Sequence, residues 1–182
     1  LEYMERNYCG YQMDFVFNSL NTAIFGPLKL KGAIFEPEQM KMIQSEFVPN
    51  VSTNNIEQLS DKWMRQYCDI HDTDTYWTAK RIVSALDKFR VLLVVKDGQV
   101  LGYLDVQNCY DTNEIFALYI KPEASSQGYE LSLLAKAIEL NKPNQMMVVV
   151  DVDNKEEVEL YTAAGFVKLE GQNSVTAYIK ET

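Results

Sequence analysis

Three groups of residues in this chain have types and spacing that could do chemistry. The first is Pro122-Glu-Ala-Ser-Ser-Gln-Gly-Tyr-Glu-Leu131, where small polar residues pass into a leucine-rich helical pattern. A polar turn with one glycine ahead of a helix exposes backbone N–H groups at the helix N-terminus, and such a turn can hold an anion. Ser125 and Ser126 would let a phosphate approach the backbone, and Gly128 removes a Cβ from the tightest point. A plain capped helix would use the same residues, so the loop alone leaves both readings open. The second group is Asp151 and Asp153, at the end of an apolar run, which could pair for acid–base work or be solvated strand-end carboxylates. The third is His71, the one histidine, on which any metal cluster or Ser-His-Asp arrangement would depend. With Asp69, Asp72 and Asp74 around it, His71 reads as part of a solvated helix-capping loop.

The elements that must position these groups follow from periodicity. Tyr11–Phe17 and Leu28–Lys31 alternate as strands do, with a break at Gly26-Pro27. Glu36-Pro37 marks a boundary, and a short strand is expected near Met42–Val48. Ile56, Leu59, Trp63 and Tyr67 predict a helix over Asn55–Tyr67, and Trp77, Ile82, Val83 and Leu86 predict another over Thr75–Lys88 with caps from Asp72–Asp74. Packing explains Trp63, Tyr67 and Trp77 best, although an aromatic wall for a cationic amine is also open to them. Arg90–Val106 is two β-rich runs joined at Asp97-Gly98, a dipeptide that tolerates the positive φ of a tight hairpin. A strand over Glu114–Ile120, a helix with Leu131, Leu134, Ala135 and Ile138 on one face, a buried strand over Met146–Val152, a helix from Asn154 closed by Gly165, and final strands complete the order. That order describes an α/β (α+β) fold, a mixed sheet flanked by helices.

Composition excludes several function classes. The chain has 182 residues, 47% of them hydrophobic, which is enough for a full core. Its net charge of −9 repels phosphate backbones and anionic lipid, so neither nucleic acid nor a membrane is an expected partner. Cys9, Cys68 and Cys109 are odd in number and far apart, which reads as thiols in a reducing compartment rather than disulfides or a metal site. No run approaches the ~18 apolar residues of a membrane helix, and no basic segment leads into an apolar one, so the expectation is a cytoplasmic protein. The chain begins at Leu1, which suggests a fragment with sequence upstream.

From about Met42 onward the chain resembles the GNAT superfamily of acyl-CoA-dependent N-acyltransferases. The hairpin, the strand Glu114-Ile-Phe-Ala-Leu-Tyr-Ile120 and the Pro122–Leu134 loop and helix carry the resemblance, together with Asn154-Lys-Glu-Glu-Val-Glu-Leu-Tyr-Thr-Ala-Ala-Gly-Phe166. The last stretch is the most specific: Asn154 opens the helix, Tyr161 follows seven residues on, and Gly165-Phe166 closes it. The implied fold is a mixed, mostly antiparallel sheet flanked by helices, with residues 41–182 as the acyltransferase domain. Residues 1–40 would be an N-terminal extension. Because Leu1–Gly10 followed by a strand-like run is similar to the end of a GNAT repeat, the extension could be the tail of a preceding repeat in a tandem protein.

The resemblance also implies roles. Ser125, Ser126, Gln127, Gly128, Tyr129, Glu130 and Leu131 would form the coenzyme A pyrophosphate loop, Leu118, Tyr119 and Ile120 would hold the pantetheine arm and acyl carbonyl, and Asn154 would touch the coenzyme. Tyr161 would be the general acid and Glu114 the general base; no metal is implied. The loop departs from the family pattern, since Ser125 stands where Gln or Arg is usual and Glu130 where Gly or Ala is usual. A phosphate donor is thereby lost and a carboxylate gained. The implied reaction moves an acetyl group from acetyl-CoA to a small-molecule amine or a lysine by direct attack in a ternary complex, in a chain that could form a homodimer. The acidic balance would suit a cationic acceptor. The alternative is a GNAT-like module that binds acyl-CoA or a protein partner without turnover.

Overall fold

The structure is a computed structural model and describes residues 10–73 and 75–180. Leu1–Cys9, and with them the expected tail of a preceding repeat and Cys9, lie outside the described residues, as does Asp74 among the expected caps. The chain forms two compact units. One takes the residues up to Lys41, Val149–Lys155 and those from Lys168; the other takes Met42–Val148 and Glu156–Val167.

In the first unit, β1 (Met13–Asn18) pairs antiparallel with β10 (Ser174–Ile179) through six residues. A 3₁₀ turn and a short helix α1 (Phe25–Leu30) follow β1, then β2 (Ile34–Phe35), which pairs with the other edge of β10. The expected strand at Leu28–Lys31 is thus a helix. Pro27 sits in its first turn, where a missing N–H costs nothing, and Phe25 is held between Phe17 and Phe35 at ring distances of 5.1 and 5.4 Å.

In the second unit β4 (Ile56–Gln58), β5 (Phe89–Lys96), β6 (Gln99–Gln107) and β7 (Thr112–Ile120) pair antiparallel in sequence order, and β7 then pairs in parallel with the start of β8 (Gln145–Asp151). The β5–β6 turn is the expected one, with φ of 50° at Asp97 and 77° at Gly98. The expected Met42–Val48 strand is shifted: β3 is Gln39–Gln44. The expected Asn55–Tyr67 helix is divided, because Ile56 pairs with Val94 in β4, and α2 covers only Met64–Ile70. Apolar residues three or four apart also occur where a strand and a turn precede a helix. The expected Thr75–Lys88 helix shrinks to α3 (Ala79–Val83), because Thr78 is extended and Ser84 turns back to donate to the Arg81 carbonyl at 2.8 Å.

One face of β5 and β6 packs against α2 and α3 through Trp63, Tyr67, Ala79, Ile82, Phe89, Val91, Leu93 and Tyr103. Packing therefore accounts for Trp63 and Tyr67. Helix α4 (Tyr129–Asn141) buries Leu133, Leu134, Ala137 and Ile138. Its last residue joins a buried amide network: Asn141 accepts from Asn113 at 2.7 Å and donates to the Asn144 and Gln145 carbonyls at 2.9 and 3.0 Å. This pins the turn before β7 to the start of β8. Helix α5 (Lys155–Ala163) buries Tyr161, and the β9 strand Phe166–Lys168 follows Gly165.

Candidate active site

The site is organised by β7, which changes its pairing halfway along. Opposite β6 its register runs Gly102↔Ile120, Tyr103↔Tyr119, Leu104↔Leu118 and Asp105↔Ala117, then jumps to Val106↔Ile115. Phe116 is the extra residue of a β-bulge. On the opposite edge the parallel pairing with β8 ends at Ile115↔Val148, directly before that bulge. From Phe116 onward no strand among the described residues pairs with this edge, so its peptide groups can receive an extended partner.

A cavity of about 430 Å³ opens beside that edge. Leu118, Tyr119 and Ile120 form one wall, Glu130 enters from α4, and Glu156, Glu157, Leu160 and Tyr161 come from α5. The β7 wall is set by Gly102. A Cβ there would collide with the Tyr119 carbonyl oxygen and the Ile120 side chain, so only glycine lets β6 approach so closely. Gly102→Ala is expected to lower unfolding free energy by about 1–3 kcal/mol, measured by urea denaturation. A change below a few tenths would mean that the wall yields without cost.

Tyr161 is 4% exposed, meets Phe166 edge-on at 5.5 Å, and its hydroxyl has no hydrogen-bond partner among the described residues. Burial, and then the nearby Glu157 charge, push the phenol well above its ordinary value, so it is protonated throughout the neutral range.

The polar loop is not irregular: Pro122–Gln127 is a 3₁₀ turn anchored by buried Ala124. Ser125 Oγ donates to the Pro122 carbonyl at 3.0 Å, and Gln127 Oε1 accepts from Lys96 Nζ at 3.4 Å. Ser126 is exposed. Gly128 has φ of 72°, and α4 starts after it with no side-chain cap, which leaves the amides of Tyr129, Glu130 and Leu131 as its first N–H groups. The Tyr129 side chain is buried and Leu131 half-buried, so the backbone of these two residues is what the loop can offer.

The residues thus fit the uncharged arm of an acyl coenzyme along β7, and at the loop they offer phosphates the first backbone amides of α4 together with Lys96 beside Gln127. Glu130 points to the cavity, Glu156 and Glu157 share its lining, and no lysine or arginine is among the lining residues. Asn154 precedes α5 with an exposed side chain and belongs to the other compact unit, as do Asp151 and Asp153. Asp151 accepts from Gln39 Nε2 at 3.4 Å. Glu114 lies in the part of β7 that is paired with β8, opposite Met147.

His71 is not solvated. It is 6% exposed, stacks on Tyr103 with ring centroids 4.7 Å apart, and its Nε2 lies 2.9 Å from Asp105 Oδ2. Tyr67 donates to Asp105 Oδ1 at 2.9 Å. His71 Nδ1 lies 2.8 Å from the Asp72 carbonyl, which can only accept, so Nδ1 carries a proton. The Nε2–Oδ2 contact then needs one proton of its own, and the histidine and carboxylate together are electrically neutral. Asp105 carried no signal in the sequence, since it sits in an apolar strand run and its partners lie more than thirty residues away. Among the described residues no group of three or more histidine, cysteine or acidic side chains could hold a metal ion, and no helix is long and apolar enough to cross a membrane.

Comparison with known proteins agrees with the fold. No curated protein matches the chain. Solved structures do, at identities that speak to fold alone. A functionally unknown conserved protein from Staphylococcus epidermidis superposes with a TM-score of 0.73 at 16% identity, covering 100% of this chain and 77% of that one. A GCN5-related N-acetyltransferase from Sphaerobacter thermophilus gives 0.73 at 12% identity, covering 94% of this chain and 60% of the other. The ribosomal-protein-S18-alanine N-acetyltransferase of Escherichia coli gives 0.55 at 16% identity, with 70% of this chain and 93% of that one covered. The family profile described as acetyltransferase (GNAT) family matches residues 56–166, which include the whole β4–β7 sheet, the 3₁₀ loop, α4 and α5. On that match and this fold, the chain belongs to the GNAT acetyltransferase family.

Proposed function

We propose that this chain transfers an acyl group, acetyl in the simplest case, from a coenzyme A thioester to a primary amine by direct attack. The observation that carries this reading is convergence. Leu118, Tyr119, Ile120, Glu130 and Tyr161, from three elements, line one cavity beside the open edge of β7. The coenzyme supplies an acyl group already activated as a thioester. The peptide groups of Leu118–Ile120 pair with the extended amide arm as an added strand would, and the amides at the start of α4 face its phosphates. Attack by the amine nitrogen forms the C–N bond and breaks the C–S bond. The amine gives up one proton to solvent, the departing sulfur takes one from the Tyr161 hydroxyl, and the phenolate regains a proton from solvent before the next turnover. Glu114 lines neither this cavity nor the one beside Phe116, so the reading gives it no direct contact with the amine.

A second reading, a module that binds an acyl coenzyme or a partner protein without turnover, is favoured by the three glutamates in the cavity lining. Calorimetric titration with acetyl-CoA tests both. Binding in the micromolar range with amine-dependent release of the coenzyme thiol supports the transferase. Binding without turnover supports the module. The lining carboxylates also set a direction: Glu130→Gln is expected to tighten acetyl-CoA binding by roughly three- to tenfold at low salt, with a smaller gain at high salt. Unchanged or weaker binding would show that the Glu130 carboxylate does not oppose the phosphates.

A further inference from the structure

Consecutive residues of β7 wall two different cavities. Leu118–Ile120 face the one already described, while Phe116 and Ala117, at the bulge, line a second of about 320 Å³ together with Thr75, Tyr76, Trp77 and Asp105. The thioester arm on the first wall would bring its acyl end towards the bulge, so the second cavity lies where a nucleophile must approach.

This second wall is aromatic. Trp77 meets Tyr76 edge-on at 5.2 Å and is tilted against Phe116 at 5.9 Å and Phe89 at 4.8 Å. The one carboxylate among the described residues that line this cavity, Asp105, is already neutralised by the proton it shares with His71, and a second bond from Tyr67 occupies its other oxygen. The outer aromatic face also has its cation, because the Arg81 guanidinium lies 4.4 Å from the Tyr76 ring centroid. Among the described residues the cavity has no uncompensated anion, and such a lining holds an ammonium ion only at a large desolvation cost, whereas an uncharged amine enters freely. Its volume suits a body of roughly ten non-hydrogen atoms, taking about 30 Å³ for each water-sized group.

Resting on the transferase reading, we infer that this cavity receives the acceptor, and that the acceptor is a weakly basic primary amine on a flat apolar body, bound uncharged. The net charge of the chain points the other way, towards polycations, but among the described residues of this wall Asp105 is the one acidic side chain, and it is compensated.

The test compares 4-methylaniline, which is uncharged at neutral pH, with spermidine and a lysine-containing peptide as acceptors for acetyl-CoA. The expected kcat/KM for the aniline exceeds that for spermidine by at least about tenfold, and Phe116→Ala lowers it by about tenfold while the Kd for acetyl-CoA is unchanged. Tyr76→Ala, at a side chain that is 72% exposed and so safe for folding, is a second variant with the same direction. Binding of 4-methylaniline followed through tryptophan fluorescence gives a readout apart from turnover. A tenfold preference for spermidine or the peptide, or indifference of aniline use to both variants, overturns the inference and leaves the transferase standing. If acetyl-CoA binds while 4-methylaniline is neither bound nor acetylated, the inference is likewise overturned. If acetyl-CoA itself does not bind, the transferase reading falls and the acceptor assignment with it.

Discussion

Asp105→Ala is expected to lower the unfolding free energy by about 3–5 kcal/mol, because removing one partner of a buried pair leaves the other without compensation. The side chain is fully buried on β6, and its two oxygens are used by His71 and Tyr67. Without it, the imidazole and the Tyr67 hydroxyl are stranded among Val91, Leu93 and Tyr103 in the core between the sheet and α2. Burial raises the Asp105 carboxyl above its ordinary value of 3.8. Burial also opposes charge on His71, but the bonds to Asp105 and the Asp72 carbonyl outweigh it, and the imidazole is raised above 6.5. Both shifts are upward, so the native chain keeps protons that the unfolded chain releases. The stability from His71 is therefore fully present below pH 6.5 and is lost as pH rises through the higher folded value. The groups facing the imidazole, Asp105, Asp72, Tyr67 and Tyr103, set that upper limit; Tyr103, pushed up to about 12 by burial, stays uncharged throughout. Urea denaturation across neutral and alkaline pH should show stability falling with pH in the parent and a flatter profile in the variant. A loss under about 1 kcal/mol would mean that the two stranded groups find water.

The same pair shows where sequence reasoning stops. A histidine among aspartates looks solvated when only its neighbours in the chain are visible, and its real partner is 34 positions away on a strand. By contrast, elements set by local rules were legible. Asp97-Gly98 made its turn and the α4 face its packing, because each depends on backbone sterics or period within a few residues, whereas Gly128 serves its φ of 72° and not a close approach, since a Cβ there would meet nothing within 4 Å. Ile56 and Leu59 misled because their spacing fits a helix, and only the open edge of β5 makes Ile56 a strand residue. The β7 bulge and the early end of its pairing with β8 had no local signal at all, yet they create the open edge and the cavity beside it. Tyr161 was singled out by the family resemblance that Asn154, Tyr161 and Gly165-Phe166 carry, whereas the aromatic cavity beside Phe116 needed the fold.

Tyr161→Phe is expected to lower kcat by roughly 10²- to 10⁴-fold, the range for loss of a positioned proton donor. Coenzyme binding should hold within a factor of about two, since the ring remains and the hydroxyl has little to do before the thiolate forms. Stability should change by no more than about 0.5 kcal/mol, because the hydroxyl has no hydrogen-bond partner to lose among the described residues. These three readings together separate chemistry from packing, which kcat alone would not. The phenol is raised by burial and then by Glu157, so it holds its proton well into the alkaline range. With an acceptor that is charged at neutral pH the rate should rise towards moderately alkaline pH as the amine loses its charge, with an uncharged arylamine it should stay flat, and either profile should survive in the variant at the lower rate. If kcat falls by less than about threefold, the sulfur leaves without help from Tyr161, and water in the cavity is donor enough. If kcat and coenzyme affinity fall together with stability, the hydroxyl was holding the α5 wall in place, and the acid has to be sought among the other groups that line the open edge of β7.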